Sequence, residues 1–279
     1  MSAGRAFENA RGISKFCMRA LQEPRDSQIG KCPSTISNLM DVRRIAALVQ
    51  PFLATAAAYD ARRDPLEAAL SPDPARALTN QQLEQISAYL DLLLRWNARM
   101  NLSAVRDAET IVTRHFGESL FAARHLFPNK QDRPSQSRLI DVGSGAGFPG
   151  LPIKIWASDL ELTLIESNQR KATFLGEVIR RLQLEKGTVF SGRAENFPGQ
   201  AEVVTLRAVE RFETALSIAS RLLVPAGRLA LLIGSAQVGR AQELAQELSW
   251  QPAITIPLSS SRVLLIGQRN SLGVAPTDR

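Results

Sequence analysis

Cysteine is nearly absent from this chain. The only two, Cys17 and Cys32, lie in the N-terminal region without metal-ligand spacing, and histidine is equally scarce. A disulfide framework and a zinc site are therefore both poorly supported, and a reducing cytoplasm is the default compartment. Aromatic residues make up 6%, too few for an extended platform on which single-stranded bases stack. The longest apolar stretch, Ile45 to Tyr59, is interrupted by Gln50 and Pro51. It falls short of the ~20 residues that cross a bilayer, and no apolar signal-peptide core follows Met1. The expectation is a soluble protein with no membrane partner and no metal. What the chain has in plenty is apolar content, 44% of 279 residues, and a formal charge of +7, with a pI near 10.0. The first supports a real core; the second points to a polyanionic partner.

The most informative ten residues run from Asp141 to Gly150, DVGSGAGFPG. An apolar, strand-like stretch precedes them and a helix-like stretch follows. Glycines at 143, 145 and 147 let the backbone turn tightly and approach a ligand. About twenty residues on, the apolar run Leu162–Ile165 ends in Glu166. In doubly wound sheets such a strand-end acid accepts from ribose hydroxyls. Two ligand classes fit. Gly145, Gly147 and Gly150 read as the dinucleotide fingerprint. The alternative register, Asp141-x-Gly143-x-Gly145-x-Gly147, is similar to the loop of S-adenosylmethionine-dependent methyltransferases, and we favour it. A plain glycine turn is the ligand-free alternative.

Along the chain, residues 1–40 are polar, mixed in charge and aperiodic. They read as a disordered extension or a start placed too far upstream. Residues 41–137 form a helical region, its first part expected to be broken by Pro51, Pro65, Pro72 and Pro74. Thr79 and Gln82 form a capping box, followed by apolar residues at helical period from Leu83 to Met100. Asp107 caps a second helix reaching Leu126. From 138 to 279 strands and helices alternate, the pattern of a mainly parallel sheet. Seven strands are predicted at 138–142, 161–166, 187–191, 201–206, 227–233, 253–257 and 262–268. Helices are predicted at 150–157, 168–183, 212–223 and 237–248. The fold class is thus α/β, Rossmann-like, with the last two strands as an antiparallel hairpin and a helical N-terminal region.

Further motifs sharpen this. Arg95-Trp96-Asn97 and Asn101-Leu102-Ser103, then Arg114-His115 with Glu118-Ser119, precede the glycine loop. Leu164–Ser167, Arg170-Lys171, Gly192–Glu195 and Arg207-Ala208 follow it. In order and approximate spacing, residues 79 to 268 resemble the glucose-inhibited division protein B family, also called RsmG. Glu118 stands where that family has aspartate. The resemblance implies S-adenosylmethionine as donor and N7 of one guanine in 16S ribosomal RNA of the small subunit as acceptor. From the cysteine usage above we expect a cytoplasmic protein, and we expect a monomer.

Asp141, Gly143, Gly145, Gly147, Phe148 and Glu166 are the expected donor-binding residues. Ala194 and Glu195 are expected at the adenine by family analogy. Arg207 lies at the mouth of the sheet, and the resemblance implies a catalytic or donor-binding arginine there. Arg114, His115, Lys171 and Arg211 are the candidate RNA contacts, and Trp96 is expected to pack the helical region on the sheet domain. The competing functions are a nicotinamide-dependent oxidoreductase and a non-catalytic RNA-binding assembly factor.

Overall fold

The central strands are apolar on both faces because helices cover both, as parallel sheets require. In the computed structural model, which describes residues 40–54, 77–128, 137–209 and 211–271, β1 is Arg138–Val142, β2 Glu161–Glu166 and β3 Gly187–Ser191. Ala201–Arg207 forms β4 and Leu223–Gly234 forms β5. The short β6 (Leu248–Trp250) and β7 (Ile254–Thr255) precede β8 (Arg262–Arg269). The order is β3-β2-β1-β4-β5-β8-β6, with β7 also on β8. β1 to β5 pair in parallel, and β8 runs antiparallel to its neighbours.

Successive side chains leave a strand on opposite faces, and the two cores follow that alternation. Leu139, Leu162 and Leu164 join one cluster; Ile140, Val142 and Ile165 join the other. The first core takes helices α1 (Val42–Leu53), α2 (Asn80–Asn97), α3 (108–126), α4 (Gly150–Trp156) and α5 (Gln169–Arg181). The second takes α6 (Phe212–Arg221) and α7 (Val238–Leu244).

Local signals set the helix ends. Gln82 N donates to Thr79 Oγ1 (3.2 Å) and Thr79 N to Gln82 Oε1 (2.9 Å), the capping box expected of α2. The same glutamine amide reaches Ile155 O at 2.8 Å, tying α2 to the end of α4. Asp107 Oδ2 accepts from Thr110 N at 2.7 Å, as expected for the start of α3. Trp96 packs edge-on against Phe174 of α5, ring centroids 5.5 Å apart, and joins the helical layer to the sheet domain.

Three expectations need correction. Pro51 does not break a helix: it sits in the last turn of α1, where burial of Ile45, Val49 and Phe52 outweighs one lost hydrogen bond. Pro65, Pro72 and Pro74 lie outside the described residues, as do residues 1–39 of the expected extension. The helix expected at 237–248 is a 3-10 turn, Ser235–Gln237, plus α7, and Leu248–Trp250 is an edge strand. The sheet therefore has eight strands, with Ile254–Thr255 a two-residue remnant of the strand expected at 253–257. Finally, α3 is not regular. Ala108–Ile111 is α-helical, Val112–Gly117 is a π turn and Glu118–Leu126 resumes the α-helix. Gly117 lies so close to α1 that a Cβ would stand 2.5 Å from the Phe52 ring.

Candidate active site

Strand order reverses between β1 and β4, and ligands of such sheets sit at that switch point, beyond the strands' carboxyl ends. A cleft of about 660 Å3 opens there. Gly143 (φ +67°) and Gly145 (φ +58°) form part of its wall. A Cβ on Gly145 would meet nothing nearer than 3.8 Å, so the space over this loop is open to a ligand. Gly147 (φ +93°) faces inward instead. A Cβ there would fall 2.3 Å from Leu151 Cδ1 and 2.5 Å from Tyr89 Oη.

Asp141 lies beneath the loop, fully buried, and does not reach the cleft. Thr205 Oγ1 donates to its Oδ1 at 2.7 Å and Gly150 N donates to Oδ2 at 3.3 Å. The acid joins β1 to β4 and to the start of α4, and we assign it to holding the loop. Burial raises its pKa to about 6, against the opposing hydrogen bonds from Thr205 and Gly150.

Phe148 lines the cleft and stacks on Tyr89 with centroids 5.4 Å apart. Tyr89 Oη donates to Ala146 O, so one buried tyrosine braces both the loop and the phenylalanine. Glu166, at the end of β2, accepts from Gly145 N (2.9 Å) and Asn168 N (2.7 Å). A carboxylate has about four acceptor positions, so about two remain for hydroxyls.

The opposite wall is cationic. Arg207 Nη2, at the end of β4, donates to Glu118 Oε2 (3.0 Å), Arg114 O (2.9 Å) and His115 Nδ1 (3.1 Å). Arg262, at the start of β8, pairs with the other oxygen of Glu118. Two guanidinium groups thus share one carboxylate that is only 2% exposed. Among the described residues, Arg207 Nη1 and Arg262 Nε are buried without a partner. An orphan buried donor is costly, and a surplus of positive charge with an unused N–H beside a cleft suits an anionic or carbonyl-bearing ligand.

The π turn places His115 against this wall. Because arginine only donates, Nδ1 of His115 must accept, and its proton sits on Nε2, 2.8 Å from Ser103 Oγ. Burial, followed by the charges of Arg207, Arg114 and Arg262, lowers its pKa to about 3. The ring is neutral at physiological pH.

Of the expected site residues, Gly143, Gly145, Phe148, Glu166, Arg114, His115, Lys171 and Arg207 surround the cleft. Gly147 and Asp141 lie under it. Ala194 and Glu195 occupy a 3-10 turn after β3, outside the lining. Arg211 caps α6 and is exposed, also outside it. Sequence reasoning assigned no role to Ser103 or Arg262, and Glu118 figured only as part of a motif. Their role depends on partners about ninety residues or more away, apart from the short Ser103–His115 link, and no local pattern signals it. Among the described residues, no group of histidine, cysteine, aspartate or glutamate could hold a metal ion, and no helix is long and apolar enough to cross a membrane.

Residues 82–262 match the model of the family described as rRNA small subunit methyltransferase G. The chain is 39% identical over 213 residues to the ribosomal RNA small subunit methyltransferase G of Roseiflexus castenholzii, covering 72% of this chain and 87% of that one. It is 36% identical to the protein of that name from Xanthomonas oryzae pv. oryzae, over 60% of this chain and 81% of the other. Among solved structures it is similar to the ribosomal protein L11 methylase of Lactobacillus delbrueckii, with a TM-score of 0.47 and 11% identity over 57% of this chain and 79% of that one. Glycine loop, strand-end acid and cationic wall all fall inside the matched residues, and the chain belongs to the rRNA small subunit methyltransferase G family.

Proposed function

We propose that this protein methylates N7 of a guanine in 16S ribosomal RNA of the small subunit, with S-adenosylmethionine as methyl donor. Family membership leaves no support for the nicotinamide alternative. The reading of the cleft rests on one observation: among the described residues, the carboxylates and the imidazole at the cleft are all engaged as hydrogen-bond or ion-pair partners. Glu118 is held between two guanidinium groups, and Glu166 holds two backbone amides. His115 turns its only lone pair toward Arg207. Guanine N7 offers an in-plane lone pair and loses no proton on attack, so none of these groups needs to deprotonate it.

The residues present fit the donor. The glycine wall at 143 and 145 leaves room for it, and Glu166 retains acceptor positions for its ribose hydroxyls. Phe148 closes the floor. Ala194 and Glu195 follow β3, whose Ser191 is in register with Glu166; they stand next along the sheet edge, where the adenine would extend. When bound, the donor supplies an activated methyl group on a sulfonium. The chain's part is orientation, which contributes ~7–11 kcal/mol when reacting atoms are held in line. Arg207 offers its unused Nη1 proton to the carboxylate of the donor or to an acceptor on the RNA, and so fixes one partner relative to the other. Arg114 and Lys171 stand on the rim as phosphate contacts, and Arg211 stands beyond it as an outer one. We place the protein in the cytoplasm as a monomer.

The test is to map 7-methylguanine in small-subunit RNA from cells with and without the gene, and to restore it in vitro with purified protein and labelled donor. One methylated guanine that appears only with the protein is the expected result. Donor binding without any transfer to the RNA would reduce the protein to an assembly factor. Because His115 stays neutral and no base is needed, kcat is expected to show no histidine inflection between about pH 5 and 8; an inflection near pH 6 that persists in Asp141→Asn would contradict the tautomer assignment.

A further inference from the structure

The cleft adjoins a second open groove of about 550 Å3. Arg95, Trp96, Arg99 and Met100 line it from the end of α2 and the turn that follows; Arg170 and Glu177 line it from α5. Two stretches of chain border both spaces. On α5, Arg170 faces the groove while Lys171 faces the cleft, and after α2, Met100 faces the groove while Leu102 and Ser103 face the cleft. A long ligand with one unit in the cleft therefore has a direct path outward between the start of α5 and the 98–103 turn.

Charge marks that path. Arg99 and Arg170 are exposed, and among the described residues neither guanidinium has a hydrogen-bond or ion-pair partner. The side chains of Arg114 and Lys171 on the cleft rim are likewise unpaired. Arg44, Arg138 and Arg240 are each neutralised by a glutamate at 2.7 Å; exposed arginines such as Arg180 and Arg193 are, among the described residues, unpaired as well, so it is their place on the groove that singles out Arg99 and Arg170. Within the groove Arg95 is satisfied by Asp91 at 2.7 Å. The one carboxylate on the wall, Glu177, is held at its side by Trp96 Nε1 at 3.0 Å. Unpaired cations along a path that leads from the reacting centre suit the charge of a phosphodiester chain and give position without base identity.

We propose that this groove carries the backbone of the substrate RNA flanking the methylated nucleotide, with Arg99 and Arg170 as its phosphate contacts. The inference rests on the RNA methyltransferase reading above. The experiment compares full-length wild type, the double variant Arg99→Ala/Arg170→Ala and Glu177→Gln on small subunits lacking the methyl group. The double variant is expected to raise KM for the subunit about tenfold, since each lost phosphate contact weakens binding at physiological salt. It should lower the slope of log affinity against log salt by roughly 1.5–2, and leave kcat and donor affinity at wild-type values. Glu177→Gln keeps an acceptor for Trp96 but removes a negative charge, so its KM should fall below wild type. An unchanged KM and salt slope in the double variant, or a loss confined to kcat, would overturn the groove assignment. Failure of the wild type itself to methylate the RNA would instead overturn the reading on which the groove depends.

Discussion

Two glycines four residues apart separate ligand binding from folding. Gly143 borders the cleft, and its nearest neighbour would be Val209 at 3.3 Å from an added Cβ. Gly143→Asp is expected to abolish donor binding by calorimetry, because it places an unpaired charge in the ligand's space. The fold should survive, since aspartate is among the residues that tolerate a positive φ. Gly147→Ala should do the reverse: its methyl group collides with Leu151 and the Tyr89 hydroxyl. A loss of about 1–3 kcal/mol of stability by denaturant titration is expected for such overpacking, with donor affinity of the folded protein preserved. Glu118 is the third diagnostic residue. Glu118→Gln leaves Arg207 and Arg262 facing each other without a counter-charge, and a cost of about 3–5 kcal/mol is the measured scale for breaking a buried pair. A variant as stable as wild type would show that the two arginines are neutralised by something else.

At the scale of elements, what was legible in the sequence was what is local. The capping box at Thr79, the Asp107 cap, the glycine loop and the strand-end Glu166 are all read within a few residues of chain. What escaped depends on distant partners or on irregularity. That Asp141 also ties β1 to β4 is set by Thr205, 64 positions away, and has no local signal. The edge strand Leu248–Trp250 is three residues long and carries no period. The π turn in α3 is hidden because helical spacing continues on both sides of it. Buried Asp141 also predicts a pH effect. Its carboxyl is pushed from 3.8 to about 6, so between those values the folded state holds more protons than the unfolded one. This group therefore takes stability away as pH rises from about 4 to 6, and the deficit persists above. Asp141→Asn removes that dependence. The Tm of the variant relative to wild type is expected to climb over this interval and then level; a difference constant with pH would refute the assignment.

Among the described residues of the whole molecule, the cleft is assembled from those between Leu102 and Arg262, and the helices at 42–53, 80–97 and 108–126 pack into the same core as one face of the sheet. Deleting residues 1–39 is accordingly expected to leave donor affinity and kcat unchanged. A truncated protein that loses either would place those residues in the machinery. The charge of +7 also has its place at this scale. Affinity for RNA should fall steeply with added salt, whereas affinity for the donor, whose contacts lie in the cleft, should barely move.

The widened turn at 112–117 has a last implication. A π turn holds one residue more than the α-helix around it would need. Excising a single residue there, Thr113 for example, would let α3 run on as an unbroken α-helix with its flanks in phase, while the residues of the turn itself are re-aimed. His115, inside the turn, would then be re-aimed relative to Arg207 while Glu118, beyond it, keeps its place. A shortened chain of this kind should gain helical regularity and lose the His115–Arg207 contact, with a fall in methyl transfer as the expected readout.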